Sequence, residues 1–276
     1  MAQFKTYCYE IKVITNMHVG SGNANYGVID NLVQRDPVTM NPTIHASSLK
    51  GALREFFEQV KPIDFVNEVF GSSPTEKKNL KNGSYRFLSA DLFLLPVRSS
   101  HQQYYLATSQ DIVKGIVEKL NTLNIKNIEK WKQMLEVLSG INADIKSAPA
   151  IFSEVDKTEL EEMPVTSLSN MPDEVRKFNK LYDSKLSLWF EDDFKDLVKN
   201  LPVIARNQLE NGQSANLWYE EIVPHQTRFI TFISFPEDDN YFKDFNNILI
   251  NSTIQIGANA SVGYGLCKFI PLNPML

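Results

Sequence analysis

HVGSGNANYGVIDNLVQRDPVTMNPTIHASSLKGALR, running from His18 to Arg54, joins two different patterns. Before it, residues 4–16, FKTYCYEIKVITN, alternate apolar and polar side chains as a strand with one buried face does. Its own end starts a helical pattern: SSLKGALREFFEQV, residues 47–60, lines up Leu49, Leu53, Phe56, Phe57 and Val60 on one face. Ser47 is the expected N-cap and Pro62 the stop. Between strand and helix lie Gly20, Gly22 and Gly27, several asparagines, His18, and one carboxylate, Asp30, among apolar neighbours. Glycine and asparagine adopt the backbone conformations that let a loop fold closely round a ligand. Ser47, Ser48, Lys50 and Arg54 follow at a helix start, where backbone N–H groups favour an anion. The stretch therefore reads as a loop that holds a phosphate-bearing partner beside a single acid.

Further along, Ile63–Phe70 reads as a short helix ending at Gly71, and residues 71–83 as a loop. Residues 85–95 read as a bent strand or strand pair, followed by PVRS and the short strand YYLAT. Residues 109–121 and 126–138 form amphipathic helices, the first capped by Ser109 and the second carrying Trp131. Residues 140–172 read as irregular, and 173–200 as helical with Trp189 and Phe190 turned inward. Residues 203–207 and 214–223 flank a hairpin turn at Asn211-Gly212. TRFITFISF is a strand, EDDNYFKDFNNILI a helix, and TIQIG and LCKFI are terminal strands around GANASVGYG. Both ends thus have β-α-β character. The expected fold class is α+β: one domain over 1–276, a ferredoxin-like (RRM-like) palm with a mostly helical insertion at about 109–200 and a hairpin at about 203–223.

Composition bounds the chemistry. At 276 residues one large domain can build a full core. A net charge of −5 excludes a uniformly basic surface but not a local basic groove. No run reaches the roughly 18 apolar residues of a membrane span, and MAQFKTYCYEIKV does not read as a signal peptide. Cys8 and Cys267 stand far apart, so neither a disulfide framework nor a cysteine metal site is expected, and a reducing cytoplasm fits.

Several residues carry two readings. Gly257, Gly263 and Gly265 lie in either a tight turn or a loop whose N–H groups approach phosphates; the spacing is wrong for a dinucleotide fingerprint. Lys50 and Arg54, four apart, form an exposed cationic face or a phosphate contact. Asp30 is a turn carboxylate or a catalytic one. Trp218 is either core or, with Leu209 and Leu217, part of a hairpin wedge that displaces a base. His18 is a lone histidine with no zinc-type pairing. Glu220 and Glu221 are surface acids or second catalytic candidates.

Four short motifs occur in order: His18–Gly22 (HVGSG), Gly27–Asp30 (GVID), Gln34–Asp36 (QRD) and Ser48–Arg54 (SLKGALR). Together with PVRS they resemble the RAMP superfamily, most specifically the backbone subunit of type III-B (Cmr) CRISPR complexes. The resemblance implies a palm with a hairpin thumb and helical fingers. It implies binding of guide crRNA through His18, Gly20, Ser21, Gly22, Ser48, Lys50, Arg54, Gly257, Gly263 and Gly265. It implies an endoribonuclease that cuts complementary single-stranded target RNA at Asp30, with Glu221, Glu220 and His18 as further candidates. A divalent metal, Mg²⁺ or Mn²⁺, is expected to assist from the RNA side without a protein cage. Partners would be copies of the chain stacked head to tail and other Cmr subunits, with no membrane. The alternatives are an inactive RNA-binding scaffold, the type III-A backbone counterpart, a guide-processing RAMP endonuclease, and an unrelated small-molecule enzyme.

Overall fold

The computed structural model describes residues 3–22, 27–72, 81–141, 149–152 and 158–273. In chain order its first elements are β1 (Phe4–Val13), β2 (Thr43–Ile44), α1 (Ala46–Val60), α2 (Ile63–Phe70) and β3 (Arg86–Phe87). There follow β4 (Ala90–Arg98), β5 (Tyr104–Ser109), α3 (Gln110–Thr122) and α4 (Glu129–Ser139). Four two-residue strands come next: β6 (Ala150–Ile151), β7 (Glu159–Leu160), β8 (Met163–Pro164) and β9 (Thr166–Ser167). Then come α5 (Asp173–Tyr182), β10 (Leu186–Trp189), α6 (Glu191–Lys199), β11 (Val203–Glu210) and β12 (Gln213–Glu221). The chain closes with β13 (Arg228–Pro236), α7 (Phe242–Asn251), β14 (Thr253–Gln255) and β15 (Leu266–Pro271).

These elements form two compact units. The first comprises Met1–Asp91, Leu201–His225 and Phe229–Met275; the second is Leu92–Asn200 with Gln226–Arg228.

In the first unit the strands run in the order β14-β15-β1-β13-β3. β1 and β15 are antiparallel with Ile11 opposite Phe269, and β13 and β3 are antiparallel with Ile233 opposite Phe87. Taking β1, β3, β13 and β15 as strands one to four, with α1 and α7 as the two crossovers, this is the 4-1-3-2 order of a ferredoxin-like fold. Of the apolar stripe expected on α1, Leu49, Leu53 and Phe57 are buried and Phe56 is half-buried, while Val60, at the last turn, is exposed. Phe57 stacks on Phe245 of α7 at 4.9 Å between ring centroids, and Phe65, Phe70 and Phe87 complete the cluster. Aromatic pairs of this kind add to plain area burial and fix the helices on the sheet. Cys8 and Cys267 are buried free thiols, and burial pushes Cys267 up to about 12.

The second unit was expected to be mostly helical, yet it carries its own strands. β4, β5, β10, β6 and β9 lie in that order, with β10 parallel to β5 and Leu188 opposite Thr108. The helical reading of 173–200 fails at its centre. Asp183 takes a left-handed conformation and ends α5, and Leu186–Trp189, all four buried, form a central strand. A fully buried strand has no alternation to read, so periodicity cannot tell it from a buried helix. Trp189 is buried as expected, but Phe190 is exposed and begins α6. Residues 140–172 contain short strands, with 142–148 and 153–157 outside the described residues. Ser109 caps α3 by accepting from the Ile112 N–H. Phe93, Trp131, Phe178 and Tyr182 form this unit's aromatic core.

Ser47 is not the N-cap of α1. The helix begins one residue earlier, after His45, with no side-chain cap. The neighbouring loop supplies the acceptors instead: Gln34 Oε1 takes the His45 N–H at 2.9 Å, and Ser89 Oγ takes the Ala46 N–H at 3.2 Å. α2 ends at Gly71 as expected, and most of the 71–83 loop, residues 73–80, lies outside the described residues.

Candidate functional site

The hairpin β11–β12 is the exposed feature of the first unit. Its turn is Asn211-Gly212, both at positive φ, as a two-residue hairpin turn requires. β11 runs three residues further than expected, β12 spans Gln213–Glu221 and stops short of residue 223, and a bulge at Gln208/Leu209 interrupts the register. Leu209 is 63% exposed and Leu217 54%. Trp218 is half-buried, so it is neither a core residue nor a free wedge.

The foot of this hairpin meets the loop that carries Asp30. The Asp30 N–H donates to the Tyr219 carbonyl at 3.0 Å, and the Tyr219 N–H donates to Asp30 Oδ2 at 2.7 Å. The Asn31 N–H also reaches the Tyr219 carbonyl, and the Glu221 N–H donates to the Asn31 carbonyl at 2.9 Å. Segment 30–31 thereby runs as a parallel partner of β12, with Asn31 bridged to Glu220. Asp30 itself is exposed. One carboxylate oxygen is held by the backbone, and the side chain still faces solvent. The carboxylate thus caps a strand end and stays accessible.

Glu220 and Glu221 are not surface acids: their exposures are 4% and 2%. Glu221 Oε2 accepts the Val33 N–H at 3.0 Å, and Oε1 pairs with Arg35 Nη2 at 2.5 Å. Glu220 Oε2 accepts from Asn259 Nδ2 at 2.8 Å, while Arg206 Nε and His18 Nε2 each lie 3.9 Å from its oxygens. Buried carboxylates are tolerated when paired and hydrogen-bonded in this way. Arg206 also sits over the Tyr264 ring at 5.1 Å. His18 is buried, and its Nδ1 lies 2.7 Å from the Glu221 carbonyl. A carbonyl only accepts, so Nδ1 donates this bond, and Nε2 faces the Glu220 carboxylate.

The two glycine-bearing loops meet at His18. The Ala258 N–H donates to the His18 carbonyl at 2.8 Å. Gly257 lies so close that an added Cβ would fall 2.3 Å from that carbonyl oxygen; at Gly265 it would fall 2.1 Å from the Ile256 oxygen. These glycines are required by packing. Gly22 and Gly263, in contrast, border open space. Gly20 pairs with Val33, and the Ser21 N–H donates to the Leu32 carbonyl. Ser48 joins this group through Gln34, whose Nε2 donates to Ser48 Oγ at 2.8 Å and to the Gly20 carbonyl at 3.2 Å.

Lys50 and Arg54 share a helix but not a role. Lys50 is half-buried, with no ion pair among the described residues. Arg54 is engaged by the protein: Nε donates to Glu58 at 2.7 Å and Nη1 to the Gly71 carbonyl at 2.6 Å. Gln34, Arg35, Asn259 and the Tyr219 backbone are structural members of the site that single-residue reasoning passed over. Gln34 and Arg35 stand in the QRD motif and Asn259 in the glycine loop, which are the only signals the sequence offers for them.

No group of three or more His, Cys, Asp or Glu among the described residues could hold a metal ion. Asp30 alone offers a divalent cation one ligand, so these residues do not fit a protein-held metal. No helix of the described residues is long and apolar enough to cross a membrane.

Comparison with known proteins places this geometry. The family model described as RAMP superfamily matches residues 10–268. The CRISPR system Cmr endoribonuclease Cmr4 of Pyrococcus furiosus is 28% identical, covering 96% of this chain and 95% of its own. Among solved structures, a type III-B Cmr-beta complex bound to cognate target RNA has a chain that superposes with a TM-score of 0.77 at 20% identity, covering 97% of each chain. Oligomeric Cmr4 from Pyrococcus furiosus superposes with a TM-score of 0.71 at 21% identity, covering 98% of this chain and 99% of its own.

Proposed function

Because the chain belongs to the RAMP superfamily, we propose that it is a backbone subunit of a type III-B RNA-guided complex and an endoribonuclease acting on target RNA. The observation that carries this is the position of Asp30, an exposed acid anchored to the foot of an exposed hairpin. Full-length likeness to a relative named as an endoribonuclease supports the same reading. Copies of the chain stack head to tail along guide crRNA, a heterologous association that propagates as a filament. Guide contacts come from Lys50 and from the open backbone surface at Gly22 and Gly263, where no side chain keeps a phosphate away. Phosphate contacts of this kind position RNA without reading its sequence.

Target RNA pairs with the guide, and the hairpin displaces it locally. Regular A-form geometry keeps a ribose 2′-OH out of line with its own phosphodiester, so distortion must come first. Asp30 then takes the 2′-OH proton. The 2′ oxygen forms a bond to phosphorus and the bond to the 5′ oxygen breaks. One product ends in a 2′,3′-cyclic phosphate; the other leaves with a 5′-OH after taking a proton from solvent. Any divalent ion, Mg²⁺ or Mn²⁺, is assigned to the RNA phosphates and not to a protein cage.

The test is Asp30→Ala in the complex assembled with guide. Guide binding is expected to stay unchanged while target cleavage disappears; unchanged cleavage would reduce the chain to an RNA-binding scaffold. A linear 3′-phosphate as the first product would exclude the 2′-OH route.

A further inference from the structure

Consecutive side chains on a strand point to opposite faces. At the foot of β12 that rule sends two buried glutamates to two different loops. Glu221 faces the segment carrying Asp30. Both of its oxygens are engaged, by the Val33 N–H and by the Arg35 guanidinium. Arg35 in turn donates from Nη1 to the Met40 carbonyl at 3.0 Å, and its own carbonyl lies 3.2 Å from His45 Nε2. Its side chain is only 14% exposed. Glu220 faces the other way, to Asn259 in the C-terminal glycine loop and to Arg206 in β11. A carboxylate 2% exposed with both oxygens occupied does not meet RNA, so Glu221 is not a second cutting group.

We propose that Arg35 is a positioning residue for cleavage: its ion pair with Glu221 clamps segment 30–35 to the hairpin foot and so holds the Asp30 carboxylate on the Tyr219 N–H. The opposite face of the same strand end clamps the guide-side glycine loop through Glu220 and Asn259. The two clamps share a strand but no side chain, so they separate by mutation. This assignment rests on Asp30 being the cutting group. Positioning at this level carries weight because a displacement of about 1 Å costs a rate on the order of 10²-fold.

The test pairs two variants in the guide-loaded complex. Removing Arg35 alone would leave a buried unpaired carboxylate, so both partners are neutralised together, as Arg35→Gln with Glu221→Gln. Guide and target affinities are expected to stay within about twofold of wild type. Single-turnover cleavage at saturating target is expected to fall about 10- to 10²-fold. In the free protein, hydrogen exchange at the Tyr219 amide is expected to speed up. Asn259→Gly, which keeps the left-handed backbone of Asn259, is expected to do the reverse: weaker guide binding, with Tyr219 amide exchange at the wild-type rate. Arg35→Lys, which keeps the charge, recovers part of the lost rate and carries the same readouts if the double variant does not fold.

Wild-type cleavage or unchanged Tyr219 exchange in the double variant overturns the proposal. So does a loss of guide binding in step with cleavage, because that is general structural damage. The exchange readout needs no RNA. It therefore tests the clamp even if Asp30→Ala were to cleave normally and the catalytic reading itself were wrong.

Discussion

Asp30 and Tyr219 exchange two hydrogen bonds: the Asp30 N–H to the Tyr219 carbonyl at 3.0 Å, and the Tyr219 N–H to Asp30 Oδ2 at 2.7 Å. The acid and the hairpin therefore move together. Asn at position 30 keeps an acceptor for the Tyr219 N–H but cannot take up a proton at neutral pH; Ala removes both functions. Asp30→Asn is expected to abolish target cleavage with stability near wild type. Asp30→Ala is expected to abolish cleavage and to cost about 1 kcal/mol as well, the size of one lost hydrogen bond. Cleavage assays beside denaturant melts separate the two, and an Asp30→Asn protein that still cuts would end the proton-acceptor role.

The hairpin tip gives the second prediction. Leu209 and Leu217 are more than half exposed. Replacing both with Ser is expected to shift stability by no more than about 0.5 kcal/mol. If these side chains displace a target base, the same double variant cuts more slowly while its guide affinity holds. Thermal melting and single-turnover cleavage make the comparison, and an unaffected rate would remove the tip from the distortion step.

Much of this architecture is legible before any coordinates. The strand at β1, the apolar stripe of α1, the Gly71 stop and the Asn211-Gly212 turn follow from period and turn chemistry, because each is a local rule. What stayed hidden depends on distant partners. β10 is a run of four buried residues whose strand character comes from pairing with β5, about eighty residues earlier in the chain. The start of α1 moved because Gln34 and Ser89 replace the expected serine cap. At the site, Asp30 was visible as an isolated acid, but the burial of Glu220 and Glu221 was not. Adjacent glutamates ordinarily signal surface, and only the approach of Val33, Arg35 and Asn259 makes their burial tolerable.

The glycines divide by what surrounds them. At Gly257 and Gly265 a methyl group would fall 2.3 Å and 2.1 Å from carbonyl oxygens of the backbone, which cannot swing aside. Gly257→Ala and Gly265→Ala are each expected to cost more than about 2 kcal/mol, because overpacking adds to the strain of positive φ. Gly263→Ala meets open space and is expected to cost only the conformational strain, about 1 kcal/mol. Denaturant melts rank the three variants. Equal losses at all three would mean that backbone conformation, and not the close approach to the His18 and Ile256 carbonyls, sets the requirement.

Lys50 and Arg54 were alike on sequence, four residues apart on one helix, but their surroundings predict opposite failures. Lys50 has no ion pair among the described residues, so its charge remains available for phosphate. Lys50→Glu is expected to weaken guide binding by the same factor for every guide sequence. It should also flatten the salt dependence by about 0.7 for each single-strand phosphate that is no longer neutralised. Arg54 instead bridges Glu58 and the Gly71 carbonyl at the end of α2, and its Nη2 is buried. Arg54→Met leaves that carbonyl without its donor and is expected to cost about 1.5–3 kcal/mol of stability. In this variant the salt slope of guide binding is expected to stay at the wild-type value. Melting curves and binding titrations at several salt concentrations test both at once. A flattened slope in Arg54→Met with unchanged stability would move the guide contact from Lys50 to Arg54.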